Sequence, residues 1–215
     1  MTRGRLLVAG LLVLAAGGTT SGLAAGTALT AQRLTVHSGS TSVPLQRCTL
    51  TAVADADVDA VVNTGTSTTL RVRSSNLGNR RAFVRFDLSL CGFGADDDVK
   101  AASLSLVLGT APAASRMHEV RRVTAAWTET GVTNVNQPAV ASAVTDVRST
   151  ATTAGARLTW NVLADVLAFR AGAVNDGWRL SDAAEGAATA MEGAYRAREF
   201  AVAADRPQLT IDYYP

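Results

Sequence analysis

The sequence predicts an all-β fold, an antiparallel β-sandwich of the jelly-roll type with about ten strands and one short helix. Three observations lead there. Apolar runs are short, alternate with polar residues at a period of two, and stop at Gly, Asn or Asp. Val, Thr and Ser are plentiful, which suits pleated, half-buried surfaces better than helices. Turn signals separate the runs, with no internal repeat of about 20 to 50 residues. A chain of 215 residues, 47% of them hydrophobic, is long enough for one sizeable core.

The chain opens with a targeting pattern. Arg3 and Arg5 precede the apolar stretch Leu6–Ala16, and small residues follow, so residues 1–28 read as a secretory signal peptide, with Ala24 or Ala28 suited to cleavage. The competing reading is an uncleaved anchor, because no charge appears between Leu6 and Gln32, and only in that case is the membrane a partner. Either way the remainder is expected to be secreted or displayed outside the cell. Removing Arg3 and Arg5 lowers the formal charge from +2 to zero, which leaves no overall basic field for nucleic acid. Residues 29–47 are polar and Ser/Thr-rich, a linker or loosely attached first strand. The β domain spans residues 48–215.

Cys48 and Cys91 are the only cysteines. In an exported protein two cysteines more often form a disulfide than remain free thiols. Two Cys and two His without paired spacing exclude a zinc site. Between the cysteines, Asp55, Asp57 and Asp59 alternate, so an extended segment aligns three carboxylates. Such a row can collect a hard cation, yet calcium asks for about six to eight oxygens and no DxDxDG loop with a distal Glu is present. A solvated strand or loop is the expectation, with no metal and no cofactor. Asp96-Asp97-Asp98 reads as an exposed turn.

The stretch Leu70–Ser89, LRVRSSNLGNRRAFVRFDLS, shows alternation, a polar turn, and alternation again, and predicts a hairpin. Leu70, Val72, Ala82, Val84, Phe86 and Leu88 would face the core. Arg71, Arg73, Arg81, Phe83 and Arg85 would then share the opposite face, a row of guanidinium groups beside one ring. Lys100 is the only lysine, so an anion site here would use planar forks rather than ammonium point charges.

Further strands are predicted over 100–108, 116–124, 157–160, 178–181, 191–200 and 208–214, the last with Leu209, Ile211 and Tyr213 inward. Trp127 reads as a core plug or as a sugar-stacking platform. Residues 139–154 suggest a long loop or weak edge strand. Asn161 can cap a short helix whose Val162, Leu163, Val166 and Leu167 share a face, ended by Gly172. Asn175-Asp176-Gly177 is a turn.

No catalytic set stands out. His118 is the one histidine of the expected fold, no Ser sits in a nucleophile elbow, and no acid pair is marked out for glycoside hydrolysis. His37 lies in the polar linker. The protein is therefore read as not an enzyme.

Several segments together resemble a known family. Ala54-Asp55-Ala56, Ser67–Val72, Arg85–Ser89, Trp127-Thr128-Glu129, Asn136-Gln137-Pro138, Gly177-Trp178, Arg198-Glu199 and Arg206–Leu209 follow one another as in the DNRLRE-type domains. These are extracellular bacterial β-sandwich modules, some assigned as carbohydrate-binding modules for alginate and related polyuronates. The resemblance covers Thr49 to Tyr214. It implies a non-catalytic module whose partner is an acidic polysaccharide, with the arginines pairing bidentately with uronate carboxylates. The alternative is a structural or adhesive surface domain in which the same arginines form ion pairs, with Arg85–Asp87 and Arg198–Glu199 as candidates. A one-sided exposed arginine cluster favours binding; arginines each matched by a carboxylate favour scaffolding.

Overall fold

A computed structural model describes residues 43–59 and 62–215. The expected signal segment and most of the linker, residues 1–42, lie outside the described residues. In chain order the strands are β1 (Gln46–Thr51), β2 (Ala54–Asp59), β3 (Val62–Asn63), β4 (Thr69–Ser74), β5 (Arg81–Arg85), β6 (Asp98–Thr110), β7 (Met117–Arg122), β8 (Asp146–Ser149), β9 (Arg157–Asn161), β10 (Trp178–Asp182), β11 (Met191–Arg196) and β12 (Gln208–Tyr214). One helix, α1 (Leu163–Arg170), follows β9. Sheet 1 has the order β1-β12-β6-β11-β4 with β9 also on β6, and sheet 2 the order β3-β2-β5-β10-β7-β8. All pairings are antiparallel, so the all-β sandwich expected from the alternation is what forms.

The core lies between the sheets. Leu104, Leu106, Leu108, Leu209 and Ile211 from sheet 1 meet Ala82, Val84, Trp178 and Leu180 from sheet 2, all at 2% exposure or less. Each follows from period two: the alternate residues of the same strands stand on the outer faces. Burying large rings imposes polar obligations on their N–H and O–H groups. The Trp160 indole donates to the His118 carbonyl (3.0 Å), the Trp178 indole to Asp165 Oδ2 (2.8 Å), and the Tyr195 hydroxyl meets His118 Nδ1 at 2.7 Å.

The expected hairpin does not form. β4 is the edge of sheet 1, whereas β5 sits inside sheet 2 between β2 and β10, and the pairing across the turn is one isolated bridge, between Arg73 of β4 and Arg80 just before β5. The link through Ser75–Asn79 carries the chain from one sheet across to the other. Leu70, Val72, Ala82, Val84 and Phe86 all reach the core as expected, because facing strands of two sheets satisfy the same alternation as paired strands of one.

The row of aspartates is a second correction. Asp55 and Asp57 are 1% and 0% exposed rather than solvated, because on β2 they alternate with Ala54, Ala56 and Val58, which face outward into a separate apolar cluster. Asp57 lies against Arg71 (Nε–Oδ2 3.3 Å) and Arg80 (4.0 Å), and its Oδ1 accepts from Thr64 Oγ1 at 2.8 Å. The Arg71 contact is close but not aligned as a hydrogen bond, so its hold is electrostatic. Asp59 pairs with Arg80 and with Arg73 (3.4 Å). Carboxylates of sheet 2 thus grip arginines on the edge strand of sheet 1 and on the link between the sheets.

Cys48 and Cys91 are joined, with their Cα atoms 5.6 Å apart, tying β1 to the 3-10 turn Leu88–Cys91 that follows β5. Asp87 begins that turn by accepting from Ser89 N–H (3.0 Å) and Oγ (2.7 Å), which removes it from the expected pair with Arg85. Val162 rather than Asn161 stands at the N-cap of α1; Asn161, the last residue of β9, accepts from Leu163 N–H at 3.0 Å from one position earlier, while Leu167 faces solvent and Phe169 takes its place on the buried side with Val166. Gly172 follows α1 at φ +103, and Gly177 is required by contact as well as by φ +77, since a Cβ there would lie 2.1 Å from the Val84 carbonyl oxygen. β8 is an edge strand, within the range where a weak one was expected.

Replacing Asp57 by Ala should lower unfolding free energy by about 1–3 kcal/mol, because the Thr64 hydroxyl loses its carboxylate acceptor and Arg71 its only acidic partner among the described residues; denaturant titration with an unchanged slope checks it. The double variant C48S/C91S should lose about 2–4 kcal/mol by releasing the loop between the cysteines. Thermal melts of the unreduced parent against this variant measure that loss.

Candidate functional site

The five residues expected in one row are divided between two sheets. Arg71 and Arg73 stand on β4, while Arg81, Phe83 and Arg85 stand on the outer face of β5. Arg73 contacts Asp59 and Glu192, the latter at 3.7 Å, so both β4 arginines spend their charge on carboxylates of the fold. Phe83 is fully buried under Trp127 (centroids 5.7 Å apart) and offers no open ring face. Trp127 is the plug of this outer cluster, 7% exposed, its indole donating to the Asp176 carbonyl at 2.8 Å. Arg85 lies over the Trp127 ring (5.3 Å) and 3.9 Å from Asp176.

Register brings other arginines beside Arg81. Arg179 of β10 is opposite Phe83 of β5 on one side and Arg121 of β7 on the other, so all project from the outer face of sheet 2. Leu180 opposite Ala82 sets Ser181 level with Arg81, and Ser181 is opposite Glu119. Three guanidinium groups therefore cross the central strands. Arg81 is held bidentately by Glu185 (2.7 and 2.6 Å) and donates to Gln137 Oε1 at 3.1 Å. Arg121 is held by Glu119 (2.7 and 3.2 Å) and by the Ser142 carbonyl. These hydrogen bonds hold both groups above the usual arginine range.

Arg179 differs. Its side chain makes one hydrogen bond among the described residues, from Nη2 to Ser181 Oγ at 3.3 Å; Glu119 is 3.8 Å away and the buried Nε has no partner. Burial, and next the neighbouring charge of Arg81, push this guanidinium below its ordinary value. A carboxylate arriving from outside would meet the Nη end of Arg179, where the fold supplies only Ser181 Oγ. Sequence reading missed Arg121 and Arg179. The alternation Trp178-Arg179-Leu180 and Val120-Arg121 does turn each outward, but which strands lie side by side is not written in the period.

On the inner side of β2, Asp55 gathers with Glu129 and Glu199, one oxygen of each within 4.8 Å of the others. Asp55 Oδ2 accepts the Arg198 backbone N–H (2.8 Å), and Asp55 N–H donates to Glu129 Oε1 (2.9 Å). Arg198 Nε reaches Glu199 (2.6 Å), the expected pair, and also Glu129 (3.1 Å). These three residues could hold a hard cation, though three carboxylates are fewer than the ligands calcium takes and Arg198 already supplies a positive charge. His118 is buried and its imidazole is pushed down to about 4, chiefly by desolvation, so it is a neutral packing group.

Desolvation first, with Glu199 and Glu129 adding to it against the Arg198 N–H, raises the Asp55 carboxyl to about 8. Folding thus favours the protonated acid, and the stability this contributes is complete below the unfolded value near 3.8 and lost as pH rises through about 8. Asp55→Asn retains an acceptor for Arg198 N–H. Its melting temperature should therefore fall less than the parent's between pH 5 and pH 8, which paired thermal melts across that range would show.

No curated protein matches the chain. The sequence model of carbohydrate-binding module family 96 does match, over residues 46–213, from the first residue of β1 to the penultimate residue of β12. That span takes in both sheets, the cationic outer face and the acidic cluster, and the chain belongs to carbohydrate-binding module family 96.

Proposed function

We propose that this is an exported, non-catalytic module that holds an acidic polysaccharide on the outer face of sheet 2, with one uronate carboxylate seated on Arg179 between Arg81 and Arg121. The observation that carries the reading is the unfilled hydrogen-bonding capacity of Arg179 beside two arginines whose own carboxylates are in place. The Nε is enclosed, so the exposed Nη end of this planar guanidinium, on a side chain 17% exposed, is the part that suits pairing with a carboxylate. Family membership supports a glycan partner, and the resemblance to DNRLRE-type domains supports a polyuronate such as alginate.

The scaffolding alternative has its own support in Arg71, Arg73 and Arg80, each matched by an acid between the sheets. It leaves Arg179 without a purpose. The two roles are therefore assigned to different arginines: those at the sheet 1 edge stitch the fold, and those across the centre of sheet 2 bind. Arg85 lies at the margin of the face, tied to Trp127 and Asp176.

Affinity electrophoresis or calorimetry with alginate and polygalacturonate, against neutral glucans and mannans of equal length, tests this. Arg179→Gln should weaken polyuronate binding about tenfold or more, the worth of a charge-assisted pair, with melting temperature little changed. Parent affinity should fall as salt rises from low to physiological concentration. Equal binding by parent and variant overturns the placement of the site. Prolonged incubation should leave polyuronate chain length unchanged, and cleavage by repurified protein would overturn the non-catalytic reading.

A further inference from the structure

Past the end of β5 and ahead of β10, the turn after β5, residues 92–95, the end of α1 and the turn before β10 enclose an open cleft of about 720 Å3, whose lining shares no residue with the three-arginine row. Its lining includes Asp87, Ser89, Phe93, Phe169, Arg170 and Asn175. We propose that this cleft is a second glycan subsite, for a neutral sugar with vicinal hydroxyls, distinct in chemistry from the cationic face.

The free valences in the cleft are acceptors. Asp87 Oδ1 is occupied by Ser89, but Oδ2 accepts no hydrogen bond from the described residues. Asn175 donates its amide to the Phe86 carbonyl (2.8 Å), and its Oδ1 receives only the Gly177 N–H at 3.3 Å. Arg170 is fixed by donating to the carbonyls of Asp97 (2.6 Å) and Gly94 (2.8 Å) and lies 5.1 Å from the Phe93 centroid, and it has no carboxylate partner among the described residues, so its charge balances that of Asp87 within the lining. A carboxylate oxygen and an amide oxygen together can accept from adjacent hydroxyls, while the exposed part of the half-buried Phe93 ring packs against the C–H groups of a pyranose. Asp87, held below the usual carboxylate range by Ser89, and Arg170 give the lining one charge of each sign, so a uronate finds no excess of positive charge here. Acidic residues are received on the outer face of sheet 2 and neutral ones in this cleft.

The walls are fixed before any ligand arrives. Gly92-Phe93 directly follows the disulfide at Cys91, Gly94 N–H is held by Asp97 Oδ2 (2.9 Å), and Phe93 meets the Tyr213 ring edge-on at 4.9 Å. A preformed cleft of this size binds without first ordering its loops.

The proposal rests on the glycan-binding reading but not on the identity of the acidic ligand. Isotope-labelled protein would be titrated separately with cellobiose, mannobiose, galactobiose and digalacturonate while backbone amide shifts are followed. At least one neutral disaccharide should move the amides of Gly92, Phe93, Gly94 and Asn175. Asp87→Asn, which keeps an acceptor for Ser89, and Phe93→Ala should each raise its Kd about tenfold, whereas Arg179→Gln should leave it unchanged. Digalacturonate should instead move the amides around Arg179. Failure of every neutral disaccharide to move the cleft amides, or equal affinity in both cleft variants, overturns the subsite. Digalacturonate shifts around Arg179 in that same experiment would leave the acidic site standing.

Discussion

Carboxyl groups reaching into the seam between two apolar sheets are the constraint on which this sandwich depends. β2 alternates alanine and valine with aspartate, and the small apolar residues take the outer face, so Asp55 and Asp57 must be satisfied within the protein. Arg71 and Arg80 answer Asp57, and the Arg198 N–H answers Asp55. Because those partners sit on β4, on the link after it and just beyond β11, the carboxylates of one sheet determine where the edge of the other must lie. Hydrophobic burial between the sheets is larger in total but has no direction; these contacts do.

The same seam explains why the arginines divide into two populations. Crossing from β4 to β5 moves the chain between sheets, so residues that alternate alike before and after the crossing belong to different sheets. Arg71 and Arg73 are drawn to the inward aspartates at the edge. Arg81 and Arg85 instead join Arg121 and Arg179, which arrive from strands about 40 and 100 residues further along the chain and become neighbours only through the pairing of β5, β10 and β7.

On that outer face the half nearest β2 is closed by Trp127, Val132 and Phe83, and the half crossed by arginines is bordered by Gln137, Ser142 and Glu185. Glu119 and Glu185 hold the outer two guanidinium groups in place, leaving the middle one least satisfied. A rigid sheet thus presents a fixed cation with its neighbours already oriented, so little side-chain entropy remains to be lost on binding. The disulfide gives the opposite end of β5 comparable rigidity, where the exposed chemistry is a carboxylate and an amide beside aromatic rings.

Composition and alternation alone determined the all-β class, the inward set from Leu70 through Ile211, the Cys48–Cys91 pair, the Asn161 side chain bonded to the head of α1 and the turn at Gly177. These are local properties: a period of two, one loop closure, one side chain reaching its own backbone. Tertiary structure alone decided that Leu70–Ser89 bridges two sheets, since the pattern of inward residues is identical for a hairpin and for a crossing. It also decided that the aspartates are buried, because alternation separates two faces without saying which one water reaches. The site depends on both decisions. Arg179 is visible in the sequence as one outward residue of a short strand, and it becomes the centre of a cationic face only when strand order sets Arg81 and Arg121 on either side.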